Sequence, residues 1–187
     1  MIRVLTVNEM QQADKFTIEN LGVSESELIS RAGNAVKEEI ERIFVGGRVL
    51  FVCGIGNNGK DGVEASKLLK FTHGFSVNCI NADETALIEL DKPYDIIVDC
   101  IFGTGLKREV TGVYKAVIEK INCKKAKVVS VDIPSGLNGD NGLPLGVAVK
   151  ADYTICIQEL KVGLLLNDGR DYSGEISTKD IGISIWG

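Results

Sequence analysis

Three glycine-rich segments carry the side chains that could do chemistry. The first is Gly54-Ile55-Gly56-Asn57-Asn58-Gly59-Lys60-Asp61-Gly62. The second is Asp99-Cys100-Ile101-Phe102-Gly103-Thr104-Gly105-Leu106, and the third Asp132-Ile133-Pro134-Ser135-Gly136-Leu137-Asn138-Gly139-Asp140. Glycine allows tight turns and close approach of backbone to a ligand. Carboxylates beside such a backbone can move protons, face a cation or hold a hard metal ion. Loops need turn residues anyway, which accounts for the glycines. It accounts poorly for two Asp residues at strand ends and for the Asn57-Asn58 pair. Each Asp could also serve only to order its loop by accepting backbone N–H groups.

The first segment fits two phosphate-binding patterns by letter, and neither holds. Gly54, Gly56 and Gly59 make G-x-G-x-x-G, but a dinucleotide site wants an acidic residue ending the next strand, where Cys79-Ile80-Asn81 stands. Gly54, Gly59 and Lys60 make G-x-x-x-x-G-K, but Asp61 replaces the hydroxyl that would bind Mg²⁺, and a carboxylate there repels phosphate. What survives is a helix N-terminus suited to an anionic ligand. The lone histidine, His73, precedes Gly74 at an expected helix end, so His-based triads and metal sites are disfavoured. Cys53, Cys79, Cys100, Cys123 and Cys156 are odd in number, widely spaced and without C-x-x-C. They read as reduced core cysteines of a cytoplasmic protein.

The elements that must hold these loops follow from periodicity. Short apolar runs at 49–53, 75–80, 94–99, 128–132 and 153–157 alternate with helical segments at 61–73, 84–90 and 112–122. A last strand is expected over 175–181. Strands buried on both faces, with helical crossovers, predict a parallel sheet. Two helices precede them. Thr6-Val7-Asn8-Glu9 and Ser24-Glu25-Ser26-Glu27 both read as capping boxes, and Gly22 closes the first helix. The predicted fold is a three-layer, doubly wound, Rossmann-like α/β domain over residues 1–187, with two N-terminal helices packed on it. In such folds ligands bind beyond the carboxyl ends of the strands, where all three loops fall.

Composition narrows the partners. The 187 residues carry a net charge of −5, which disfavours nucleic acid. No apolar run is long enough to span a bilayer, and the start lacks a secretory h-region, so no membrane contact is expected.

Taken together, the Asn57-to-Gly62 loop, the Asp99-x-Ile101-Phe102-Gly103-Thr104-Gly105 run and the Asp132-Ile133-Pro134-Ser135-Gly136 run resemble the NAD(P)H-hydrate epimerase family, the YjeF N-terminal domain. Arg31-Ala32-Gly33, Lys161, Gly163 and Asp180-Ile181-Gly182 extend the likeness in order along the chain. The resemblance implies an isomerase of nicotinamide-cofactor repair. It would interconvert the R and S forms of NADHX and NADPHX, the cofactors hydrated at C6. A separate ADP- or ATP-dependent dehydratase would then act on the S form, since the chain ending at Gly187 leaves no room for that domain. A homodimer stays open.

The resemblance also implies site residues. Substrate would be bound by Asn57, Asn58, Gly59, Lys60 and Asp61, by Gly103, Thr104, Gly105, Leu106, Lys107, Arg108 and Glu109, and by Asp132. A K⁺ ion would be held by Asn58, Asp99 and Ser135 with backbone carbonyls. Lys60 replaces the family's usual Gly and puts the backbone shape of its loop in question. Asp132 is expected as the main acid/base on an exposed loop, and Asp61 as its catalytic neighbour, acting mainly in positioning. Lys161 either reaches a diphosphate or is a solvated surface lysine. The alternative from another class is a non-catalytic nucleotide-ligand sensor or scaffold on the same fold.

Overall fold

The computed structural model describes residues 3–185. A short strand, β1 (Val4–Leu5), leads into α1 (Val7–Glu19) and α2 (Glu25–Ile43). The Thr6 side chain accepts from Glu9 N while the Glu9 carboxylate accepts from Thr6 N, the reciprocal box expected from sequence. The second box is only half made. Ser24 accepts from Glu27 N, but the Glu27 carboxylate turns to Arg31 one turn later.

Then strands and helices alternate: β2 (Gly47–Cys53), α3 (Asn57–Leu69), β3 (Phe75–Asn81), α4 (Glu84–Glu89), β4 (Ile96–Cys100), α5 (Gly112–Asn122), β5 (Lys127–Val131), β6 (Tyr153–Ile157), β7 (Leu160–Lys161), α6 (Gly169–Ser173) and β8 (Glu175–Lys179). Six strands form one sheet in the order β3-β2-β4-β5-β6-β8, every pair parallel. The order reverses at β2 and β4, so a crevice opens where the chain leaves in opposite directions.

The central strands explain themselves. All five residues of β4 are buried, as are the last five of β2, because helices cover both faces. β3 is an edge strand, and its positions are accordingly partly buried or exposed, none fully buried. One apolar layer joins Val36 and Ile40 of α2 and Leu69 of α3 to Val49, Phe51 and Val98. The other joins Leu50, Val52 and Ile97 to Ile118 and Ile121 of α5. Fully burying a side chain such as Phe51 contributes about 1.5–3 kcal/mol.

α1 lies over the carboxyl edge of the sheet because three ties hold it there. β1 pairs in parallel with β7, Val7 N donates to Asp140 Oδ1 at 2.7 Å, and Ser184 N donates to Thr17 Oγ1 at 2.9 Å. The β1–β7 pair is too short to leave a periodic signal, and sequence reading missed it. α3 differs from expectation at both ends: it starts at Asn57 and stops at Leu69, four residues early in each case.

Candidate active site

The Asn57-Asn58-Gly59 segment is therefore the first turn of a helix, not a loop. Close packing makes this possible. A Cβ on Gly59 would lie 1.8 Å from Gly54 O, and one on Gly54 would lie 2.0 Å from Ile101 O. Only glycine at both positions lets α3 descend onto the sheet edge. Lys60 points away and pairs with Glu25 Oε1 of α2 at 2.6 Å, both side chains being half exposed. The substitution for Gly is thus accommodated by an ordinary helical backbone with an outward side chain.

Around this turn sits a buried polar cluster. Asn58 Nδ2 donates to Phe102 O at 3.0 Å. Its Oδ1 is buried without a hydrogen-bond partner. Such an orphaned acceptor is costly unless something fills it. Asp99, fully buried in β4, accepts from Ser130 Oγ at 2.8 Å, Ser135 N at 2.9 Å, Ile101 N at 3.2 Å and the Ser135 hydroxyl. Burial raises the Asp99 carboxyl, and these hydrogen bonds oppose it without cancelling it. Ser135 Oγ also accepts from Phe102 N at 2.8 Å. Asn58, Asp99 and Ser135 thus meet around the backbone of Phe102.

Asp132 follows β5 directly. Its φ is 69°, a left-handed conformation that Asp and Asn tolerate better than most residues. Its N–H donates to Ile155 O at 2.7 Å, which fixes the bend. One carboxylate oxygen accepts from the Lys161 ammonium. The other would touch any Cβ placed on Gly103, at 3.2 Å. Lys161 is 1% exposed, and its ammonium also donates to Ile157 O. Burial works against that charge, but neighbouring Asp132 and the Cys156 sulfur outweigh it and raise the ammonium. The expectation of a solvated surface lysine does not hold: Lys161 is an internal cation at the cavity. Asp132 is likewise no exposed loop residue, its side chain being 15% exposed.

These groups open into a cavity of about 570 Å³. Asn57, Asn58 and Asp61 line it from α3, Gly103 to Arg108 from the loop after β4, and Asp132 and Lys161 from the floor. Among residues expected at the ligand, Glu109 instead lies against Gly146, Gly59 packs on Gly54, and Lys60 faces Glu25. Burial, then the charges of Asp132 and Asp14, push the Asp61 carboxyl up to about 8. Asp14 of α1 was not anticipated. It lines the same cavity, and burial followed by the Asp132 charge pushes it up to about 6. A signal existed: Met10, Asp14 and Ile18 share one helix face at four-residue spacing, an acid between two apolar residues.

Comparison with known proteins decides the lineage. Residues 79–163 match the family described as YjeF-related protein N-terminus. The NAD(P)H-hydrate epimerase of Limosilactobacillus fermentum is 34% identical, over 95% of this chain and 96% of its own. The chain belongs to the NAD(P)H-hydrate epimerase family. A bifunctional NAD(P)H-hydrate repair enzyme from Thermofilum pendens, also of this family, is 34% identical over 94% of this chain but only 39% of its own length. The crystal structure of yeast YNL200c superposes with a TM-score of 0.79, covering 100% of this chain and 96% of that one at 20% identity, which shows a shared fold. Two further family-level points bear on the site. Among the described residues no helix is long and apolar enough to cross a membrane. All five cysteines are free, but Cys79 and Cys123 are exposed, so only Cys53, Cys100 and Cys156 are core residues as expected.

Proposed function

We propose that this protein epimerises NADHX and NADPHX, interconverting the R and S hydrates within nicotinamide-cofactor repair. The observation that carries this reading is the meeting of Asp61 and Asp132 in one cavity beyond a parallel sheet, in a chain of the epimerase family. The reaction exchanges a hydroxyl between two faces of C6. Losing it gives an iminium cation, and water re-adds from the other side. An acid must protonate the leaving oxygen, a base must take a proton from the entering water, and negative charge must face the cation.

The residues divide these tasks. Asp132, paired with Lys161, supplies the anion beside the cation and the base for water. Asp61, pushed up to about 8, carries a proton at neutral pH and serves as the acid. This refines the expected order, in which Asp132 did both and Asp61 mainly positioned. The free N–H groups at the start of α3, with Lys107 and Arg108 on the cavity rim, suit the diphosphate. Asn57, Asn58 and the Gly103–Arg108 segment frame the remaining substrate.

The donor set fits K⁺. Asn58, Asp99 and Ser135 with the Phe102 carbonyl would hold it, and the orphaned Asn58 Oδ1 supports this. All are oxygen ligands, as a hard cation prefers. Bound there, K⁺ would lend positive charge to the loop that frames the substrate. A separate ADP- or ATP-dependent dehydratase consuming the S form fits the existence of a longer bifunctional relative. Free thiols and a nicotinamide substrate suit the cytoplasm.

The test is direct. R-NADHX is mixed with the protein near pH 8, where spontaneous epimerisation is slow, and the R/S ratio is followed by chromatography. The expected result is relaxation far faster than in protein-free buffer. Equal rates, with binding retained, would point to the sensor or scaffold alternative.

A further inference from the structure

Asp14 has no structural explanation. It occupies the cavity-facing stripe of α1 between Met10 and Ile18. Among the described residues its carboxylate takes no hydrogen bond. Its electrostatic neighbours are the carboxyls of Asp132 and Asp61, and Lys161, which Asp132 already occupies. A carboxylate withdrawn from water beside another carboxylate weakens the fold, and such placements cluster where chemistry needs them.

The reaction proposed above names one acid and one base, yet it runs in both directions. It puts oxygen on both faces of C6 in turn, so proton transfer is needed on two sides of the ring. Asp132 lies on the cavity floor and Asp61 just past the first turn of α3. The loop after β4 offers Thr104, Lys107 and Arg108, and α5 offers Tyr114. α2 offers Glu25, which is half exposed and paired with Lys60. On the α1 side Asp14 is the available proton carrier.

We propose that Asp14 is a third acid–base residue of the epimerase site, handling the oxygen on the face of the substrate ring turned toward α1. As the acid, it passes its proton to the C6 hydroxyl. The C6–O bond breaks with its electron pair leaving on water, and the ring-nitrogen lone pair closes to the iminium. In the opposite direction, water oxygen bonds to C6, its proton goes to the Asp14 carboxylate, and the C=N electrons return to nitrogen. Nothing is oxidised or reduced. A carboxyl pushed up to about 6 exchanges protons readily near neutrality, which suits either role.

This inference rests on the epimerase reading, and one experiment separates the two. Wild type, Asp14→Asn and Asp14→Glu are assayed with R-NADHX by R/S chromatography from pH 5.5 to 9. Binding of NADH, which cannot epimerise, is measured by fluorescence, and unfolding by heat. Asp14→Asn is expected to lose about 10²-fold or more in kcat, keep NADH affinity within about threefold and melt no lower than wild type. Asp14→Glu is expected to recover at least about tenfold of that loss, and Asp14→Asn to change the shape of the pH profile, both signs of proton transfer. An Asp14→Asn rate within about threefold of wild type overturns the proposal while leaving the epimerase reading intact. So does a loss that Glu does not recover, accompanied by weak NADH binding or an unchanged profile. A wild type no faster than buffer overturns the epimerase reading itself, and this inference with it.

Discussion

The Lys161 ammonium, itself 1% exposed, donates to the Asp132 carboxylate at the floor of the cavity. The pair joins the end of β5 to β7, two elements that share no sheet. Asp132 is therefore both a reacting group and the counter-ion of a buried cation, and changing it has two separable effects.

Asp132→Asn is expected to lose about 10²–10⁴-fold in epimerisation rate, since the amide keeps shape and tolerates a φ of 69° but carries no exchangeable acid proton. It is also expected to cost stability, about 3–5 kcal/mol, because Lys161 is left charged and buried without a counter-ion. Sequence reading, which placed Asp132 on an exposed loop, expected no such cost. Urea unfolding measures it. Adding Lys161→Met is expected to restore stability but not activity. A fully stable Asp132→Asn single variant would refute the buried-pair account.

Asp61 makes stability fall as pH rises. Burial, then Asp132 and Asp14, lift its folded-state pKa from an ordinary value near ~3.8 to about 8. Its contribution is thus fully present in acid and is lost as pH climbs through that interval. Asp61→Asn is expected to raise the melting temperature relative to wild type at pH 8 and to leave it alone near pH 4. Equal melting at both values would contradict the desolvation of Asp61.

Glu39 works in the opposite direction. Burial would raise it, but Arg42, Lys179 and Ser177 overcome that and hold its carboxyl down at about 2. The stabilisation is present above the ordinary value near ~4.5 and is lost as pH falls toward 2. Because Lys179 lies on β8 and Glu39 on α2, the group ties an edge strand to the helical layer. Glu39→Gln is expected to lower the melting temperature at pH 7 and hardly at all near pH 2. Calorimetry across that range tests the crossover.

Asn58→Leu keeps the branched shape but removes the orphaned oxygen and the amide that donates to Phe102 O. In wild type, K⁺ is expected to raise the melting temperature over tetramethylammonium at equal ionic strength, because a ligand of the native state stabilises by mass action. The variant is expected to show no K⁺ increment. A wild type indifferent to K⁺ would remove the ion from the account.

Gly59→Ala is expected to destabilise by more than the ordinary helix preference for Ala would gain, since its Cβ would meet Gly54 O at 1.8 Å. The first turn of α3 must lift, so activity is expected to fall along with stability. An Ala variant that melts like wild type would show that α3 can approach the sheet edge without glycine.

Most of the fold was legible because buried parallel strands announce themselves as apolar runs. α5 over Gly112–Asn122 and β6 over Tyr153–Ile157 match expectation residue for residue. α3 was misplaced because its first turn is made of Asn and Gly, poor helix formers that packing, not propensity, holds in place. Within the site, Asp61, Asp99 and Asp132 were readable because they stand beside glycines after strands. Asp14 was not, and of Lys161 only the resemblance spoke, not its burial or its pairing with Asp132. Lys161 lies on a two-residue strand, and Asp14 looks like a solvated helix position until α1 is seen over the sheet edge.

The pairing of Leu5 with Lys161 also sets a schedule. A nascent chain can close its central strands as they emerge, yet the partner of β1 is synthesised only after β2 to β6. Until then α1 lacks one of its anchors and the floor of the cavity lacks its cation. The central strands can therefore pair early, while the edge strand β8 and the catalytic constellation form late, since long-range closure waits on chain length. A ribosome stalled before residue 160 would display a folded core without a finished site, its first helix open to protease.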